Sequence, residues 1–341
     1  MERTELLFQL GSQVGVSGLE TSAIQFAKEL IKPYAKKVVV DRGGSLLATI
    51  VEPKEGKPHI LLDAHIDEIG LIVTGVTSGG FLRVAACGGV DRKLLLAQEV
   101  IVHGNRDVYA VVASKPPHLE TADDQKKSPE IDQILLDTGL TEQQAKEWIP
   151  LGSRVSFCAR PQQLLNGRVS CKSMDDRSGV ASIFMALEQL KGKELSCGLS
   201  VLFSSQEETG ERGAKTGAFG LGVTHCIAVD VSFAYTSDAP EHKCGKLSQG
   251  VMIGISPTLD VGISQELEEL SKQYQIPYQL EVMGGATSTN TDSLALTGAG
   301  IRCGLCSIPL RYMHTPIEVI DPQDVQSVAD LLAAYVLKMG G

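Results

Sequence analysis

A chain of 341 residues is long enough for about two domains, and its 43% apolar and 21% charged content excludes a disordered polymer. A formal net charge of −10, with lysines and arginines scattered, argues against a nucleic-acid partner. No uncharged apolar run approaches the ~18 residues that a membrane span needs, so no membrane partner is expected.

The first thirty residues carry Glu2, Arg3, Glu5, Gln9, Gln13, Glu20 and Lys28 among their apolar positions, a pattern unlike a secretory leader. Eight dispersed cysteines, mostly inside apolar runs, fit buried reduced thiols, and a cytoplasmic location is expected. Cys303-Gly304-Leu305-Cys306 lacks the helix start or second pair that redox or zinc chemistry would want, and a structural role is expected there.

Helical periodicity covers residues 4–13 and about 20–35, the second run ending at Pro33. Val38–Val40 and Leu46–Val51 read as a hairpin around Asp41-Arg42-Gly43-Gly44. The apolar run Ile60-Leu61-Leu62 is a strand that delivers His65 and Asp67, a pair resembling a metal ligand and the acid that orients it. From 70 to 159 the texture changes to short β runs joined by Gly-Gly turns at 79–80 and 88–89, which predicts a small inserted barrel-like domain. This block holds no catalytic constellation, and its expected role is dimerisation or assembly, or shaping access to a site. Residues 115–127 are polar and proline-bearing and read as an exposed loop.

The helical and apolar texture returns at about 160. Asp175-Asp176 precedes a helix whose apolar positions Val180, Ile183, Leu187 and Leu190 step by three and four. Either acid can act as ligand or cap. Leu199–Phe203 is a buried strand leading to Glu207-Glu208, followed by a small-residue helix near 213–219, and Cys226–Val231 is a further strand whose end carries Asp230. Strands alternating with helices, with carboxylates at strand ends, predict a doubly wound sheet. Ser264 reads as the cap of a helix running to about Gln275, and 279–282 as a strand. The polar loop 284–292 suits a binding wall. Residues 300–307 form a strand, His314 follows it, and Asp321-Pro322 starts a terminal helix.

Adjacent carboxylates leaving a core repel each other and lose hydration unless cations or protons offset them. His65, Asp175, Glu207, Glu208, Asp230 and His314 together offer nitrogen and oxygen donors suited to zinc, cobalt or manganese rather than sulfur-rich structural zinc. With one bridging carboxylate they suffice for two divalent ions about 3.5–4 Å apart, leaving a carboxylate for proton transfer. His59, His103, His118, His225 and His242 lack such context and read as surface or satisfied core groups.

The ordered motifs Ala64-His65-Ile66-Asp67-Glu68-Ile69-Gly70, Met174-Asp175-Asp176-Arg177, Gln206-Glu207-Glu208-Thr209-Gly210, Val229-Asp230-Val231 and Arg311-Tyr312-Met313-His314-Thr315-Pro316-Ile317-Glu318 span nearly the whole chain. In this order they resemble the tetrahedral aminopeptidase family, which includes glutamyl and deblocking aminopeptidases, some labelled cellulase M. The resemblance implies a zinc-exopeptidase-like α/β catalytic domain, residues 1–69 and 160–341, with a doubly wound mixed sheet interrupted by an inserted β-domain at 70–159. It implies a metal-dependent aminopeptidase acting on peptide substrates, with Asp175 bridging two ions. His65 and Glu208 would complete one site, and Asp230 and His314 the other. Glu207 would be the general base toward a water held by both ions, and Asp67 would orient His65. Family members commonly assemble through dimers into dodecamers. Thr209, Thr315 and the long polar loop at 286–291 depart from the usual pattern and bear on substrate preference. The Glu pair also admits a glycoside hydrolase, which needs two carboxyls and no metal, leaving both histidines idle. A non-catalytic metal-bound scaffold is the third alternative.

Overall fold

The computed structural model describes residues 2–121 and 128–341. Helices α1 (Arg3–Gly11) and α2 (Thr21–Ile31) open the chain, followed by β1 (Lys37–Val40), β2 (Leu46–Val51) and β3 (His59–His65). Strands β4 (Gly70–Val76), β5 (Leu82–Cys87), β6 (Glu99–His103), β7 (Asp107–Val112) and β8 (Leu135–Asp137), with α3 (Glu142–Trp148) and β9 (Arg154–Phe157), make the next block. Short strands β10 (Gln162–Gln163) and β11 (Val169–Cys171) lead into α4 (Met174–Leu190), β12 (Gly198–Ser204), α5 (Arg212–Ala218) and β13 (His225–Phe233). The chain ends with β14 (Val251–Ile255), α6 (Val261–Tyr274), β15 (Tyr278–Val282), α7 (Asn290–Leu294), β16 (Arg302–Leu310), β17 (Glu318–Ile320) and α8 (Pro322–Gly340).

The main sheet has the order β1-β2-β12-β3-β13-β16-β14-β15. Its centre, β12-β3-β13-β16, is parallel, β1 and β2 run antiparallel to their neighbours, and β14 is antiparallel to β16 but parallel to β15, so the doubly wound mixed sheet expected from the sequence is present. β3 is buried along all its residues because helices cover both faces. Ile60, Leu62 and Ala64 point into the core shared with α1, α2, α4 and α8, whereas Leu61 points into the one shared with α5 and α7. Each fully buried leucine here contributes about 1.5–3 kcal/mol of apolar burial.

The second layer is a closed barrel of strands β4-β5-β8-β7-β6-β9, with its own core of Leu71, Val84, Val100, Val102, Leu136 and Val155. Alternating inward residues and closure remove free strand edges. Of the expected loop at 115–127, residues 122–127 lie outside the described residues.

Two local expectations change. The helix expected to begin at Ser264 begins at Val261, capped by Asp260, whose Oδ1 accepts the Ile263 amide at 3.0 Å. Ser264 instead donates to the Gly254 carbonyl at 2.8 Å. Asp230 lies inside β13, which continues to Phe233, rather than at a strand end. Cys303 and Cys306 are buried in β16, and burial pushes the Cys306 thiol up to about 12, as a packed, unreactive group requires.

Candidate active site

The parallel centre of the sheet sends its carboxyl-terminal ends toward the barrel, where the six groups singled out from sequence line one cavity of about 950 Å³. His65 ends β3, Asp175 starts the α4 segment, and Glu207 and Glu208 follow β12. Asp230 is on β13, and His314 lies between β16 and β17.

Asp175 is the centre. Its Oδ1 lies 2.9 Å from His65 Nε2 and its Oδ2 lies 3.3 Å from His314 Nε2, so each carboxyl oxygen faces a different imidazole. Two donor groups result: His65, Asp175 and Asp230, and Asp175, Glu208 and His314. This corrects the pairing expected from resemblance, which set His65 with Glu208 and Asp230 with His314. Asp230 Oδ1 is 3.9 Å from His65 Nε2, and Glu208 Oε1 is 3.5 Å from His314 Nε2.

The chemistry of these donors fits divalent cations. His65 Nδ1 faces the Asp67 carbonyl at 3.2 Å, and His314 Nδ1 faces the Gly89 carbonyl at 3.0 Å. A carbonyl only accepts, so each neutral ring keeps its proton on Nδ1 and presents the Nε2 lone pair to the carboxylates. Burial, followed by repulsion from Asp175, drives Glu208 well above the usual carboxylate range. Burial likewise raises Asp230, and lifts Glu207 to about 7. For Asp175 burial acts upward too, but hydrogen bonds with His314 and His65 outweigh it and hold the group low. His65 is raised: burial opposes its charge, and its contacts with Asp175 and Asp67 prevail. Crowded carboxylates of this kind need positive charge among them.

The Asp67 carboxylate lies 3.5 Å from His65 Nδ1 and also holds the neighbouring turn. Its Oδ1 accepts the Glu207 amide at 2.9 Å and its Oδ2 accepts the Glu208 amide at 3.1 Å, so one buried carboxylate fixes the turn that carries the glutamate pair. Asp176 turns away from the donors and accepts the Gly179 amide at 3.0 Å, supporting the start of α4. Its neighbour is joined to it by a cis peptide.

Comparison with known proteins adds to this geometry. A family model described as M42 glutamyl aminopeptidase matches residues 44–331. The chain belongs to this family. It is a peptidase, a hydrolase of peptide bonds. Lysyl aminopeptidase of Pyrococcus furiosus is 30% identical, with 97% of this chain and 96% of that one covered. The TET aminopeptidase of Thaumarchaeota archaeon SCGC AB-539-E09 superposes with a TM-score of 0.92 at 28% identity, covering 98% of this chain and 95% of that one. The TET1 peptidase of Pyrococcus horikoshii, described as able to assemble into a tetrahedron or a large octahedral shell, gives a TM-score of 0.86 at 27% identity, covering 98% and 99%.

The sequence alone assigns no role in the site to three features of this M42 peptidase. Glu318 is buried and accepts the amides of Asp175 at 3.1 Å and His314 at 2.8 Å, tying two donors to one carboxyl. It closes the last of the ordered motifs, four residues after His314. The Gly88-Gly89 turn, read as a barrel connection, packs on Glu208 and His314. Glu68 anchors the entry segment: Lys172 Nζ reaches its Oε2 at 2.5 Å, Ser173 donates to the same oxygen, and its Oε1 accepts the Gly15 amide at 2.9 Å. Two of the departures noted in the sequence are packing contacts: Thr209 hydrogen bonds Ser17 at 2.9 Å, and Thr315 donates to the Tyr312 carbonyl at 2.6 Å. The third is a loop only through Thr289, and that part lines the cavity; α7 begins at Asn290, whose side chain donates to Asp63 at 2.7 Å. His242, read from sequence as a surface or core group, is exposed and also lines the cavity.

Proposed function

We propose that this M42 peptidase removes amino-terminal residues from peptides using two divalent cations. The observation that carries this is the bridging posture of Asp175, with one carboxyl oxygen toward each of two donor groups. His65, Asp175 and Asp230 would hold one ion, and Asp175, Glu208 and His314 the other. Oxygen and imidazole donors without sulfur suit zinc or cobalt, and manganese is compatible. When bound, such a pair polarises a carbonyl and lowers the pKa of water.

The chain's own groups supply the rest. Glu207, in the cavity but outside both donor groups, takes the proton of the attacking water and returns it to the leaving amine. Asp67 holds Glu207 in place through its amide. The acidic wall favours the free, protonated amino end of a peptide over an internal segment, which selects exopeptidase action. Glycoside hydrolysis would leave both imidazoles without a task.

The catalytic domain in this reading is residues 1–69 and 160–341, and the barrel at 70–159 serves assembly. Leu94, Tyr109, Val111 and Leu119 are exposed apolar residues of that block and suit a contact between copies. The relative that forms tetrahedral and octahedral shells supports a homo-oligomer built from dimers, with twelve copies as the expected closed form. Eight free cysteines favour a reducing cytoplasmic setting, and no described helix is long and apolar enough to cross a membrane.

The deciding experiment is chelation. Removal of divalent ions should abolish hydrolysis of aminoacyl substrates, and added zinc or cobalt should restore it. Undiminished hydrolysis by verified metal-free protein would end the proposal.

A further inference from the structure

The cavity contains one more sequestered carboxylate, Glu281 on β15, which belongs to neither donor group. Its Oε2 accepts from Ser307 Oγ at 2.8 Å, and its Oε1 accepts from Ser232 Oγ. Both serines are buried, so the carboxylate is held by a built floor rather than by solvent. Among the described residues no ion pair reaches it, and its surroundings offer only burial and the two hydroxyls. Lys243 and His242 sit exposed on the cavity wall.

Strand register places this carboxylate beside the reacting centre. Asp230 on β13 is paired with Ser307 on β16, Ser307 with Met252 on β14, and Met252 with Gln279 on β15. Paired residues share a face, and Glu281, two residues beyond Gln279, shares it too. Glu281 is paired with Gly254, which has no side chain to obstruct its reach back toward Ser307 and Ser232. Its hydrogen bonds to Ser307, the register partner of Asp230, and to Ser232, two residues along β13 from Asp230, set the carboxylate against the strand that carries Asp230. One cavity runs from it to the donor groups.

We infer that Glu281 selects peptides whose first residue bears a cationic side chain, lysine or arginine. The inference rests on the aminopeptidase reading above and names its substrate class. The donor-group carboxylates face their own cations, whereas Glu281 is left with two hydroxyl donors and spare acceptor capacity. An ammonium or guanidinium entering the cavity completes that shell, and Met252 lines the path for its aliphatic stem. A neutral side chain leaves the carboxylate buried without a counter-charge, and an acidic one is repelled. Sites built this way reject ligands lacking the matching group by large factors.

The test is a panel of lysyl, arginyl, leucyl, alanyl and glutamyl substrates on the metal-loaded full chain and on Glu281→Gln and Glu281→Lys. The wild-type protein should favour lysyl and arginyl over leucyl substrates at least tenfold in kcat/KM. Glu281→Gln should reduce that ratio at least tenfold, and Glu281→Lys should turn the preference toward glutamyl substrates. Calorimetric binding of lysinamide should weaken in both variants relative to leucinamide. A wild-type preference for leucyl or glutamyl substrates, or a ratio unmoved in both folded variants, overturns the inference while leaving aminopeptidase activity standing. Absence of hydrolysis across the whole panel overturns the aminopeptidase reading itself, and this inference with it.

Discussion

The main-chain carbonyl of Gly89 lies 3.0 Å from Nδ1 of His314, so a barrel turn orients an imidazole of the catalytic sheet. The turn has no room for a side chain: a Cβ at Gly89 would come within 2.5 Å of His314 Nδ1. The barrel is thus part of the site as well as a candidate for assembly. Gly89→Ala should push the ring away from Asp175 and Glu208 and weaken ion binding by about 10–100-fold, the range typical of lost outer-shell support. Metal titration of the purified variant, with circular dichroism to verify folding, measures this. A fully folded variant with wild-type affinity would show that the contact is incidental.

Glu318 performs a similar task from the opposite side. Two amides, those of Asp175 and His314, point at its two oxygens. Glu318→Gln keeps one acceptor and turns an NH2 group toward the other amide, leaving a buried donor unpaired at a cost of about 1–3 kcal/mol. The expected result is a lower Tm together with weaker metal binding, because both donors shift. An unchanged Tm and affinity would mean that the backbone holds these donors without help.

How far the sequence could be read depends on which physical signal each element carries. β3 was visible because a strand buried on both faces is a continuous apolar run, and His65 stood at its end. The barrel was visible through short runs and Gly-Gly turns. Which carboxylate joins which imidazole was not visible. That choice depends on β13 lying beside β3 and on the turn at Gln206, with a φ of +55°, that redirects the glutamate pair. Neither is encoded in spacing. Ser264 has the residue type of a cap, but the Asp260 carboxylate starts the helix earlier and carries it through Gly262 despite that residue's low helix propensity. Gly89 acts through its main-chain carbonyl and Glu318 upon main-chain amides, pairings that residue type alone does not reveal.

In the proposed reaction Glu207 would separate proton transfer from ion binding. It lines the cavity but belongs to neither donor group. Glu207→Gln preserves size and the Asp67 hydrogen bond to its amide, so metal content should remain about two per chain while kcat falls by about 10²–10⁴. Elemental analysis beside steady-state kinetics reads both quantities on one sample. Loss of metal in parallel with activity would reassign Glu207 as a ligand, and retained turnover would remove it from the mechanism.

Asp260 offers a test of the fold that leaves the site untouched. Its carboxylate caps α6 through the Ile263 amide and receives Arg302 in a fork, Nε at 2.8 Å and Nη2 at 3.0 Å. The hydrogen bonds from Arg302 hold its pKa down to about 2, below the ordinary value of 3.8. A depressed folded-state pKa gives stability that is present above the unfolded value and is lost as pH falls through the folded one. The contribution is therefore complete above about pH 4 and drains away toward pH 2. Arg302 is half exposed, so screening limits the ion pair to below ~1 kcal/mol, and the cap supplies most of the remainder. Asp260→Ala should lower stability by about 1–2 kcal/mol near neutrality, visible as an earlier urea midpoint. The gap from wild type should narrow between pH 4 and pH 2. A deficit that stays constant across that interval would show that the carboxylate's charge has no part in holding α6.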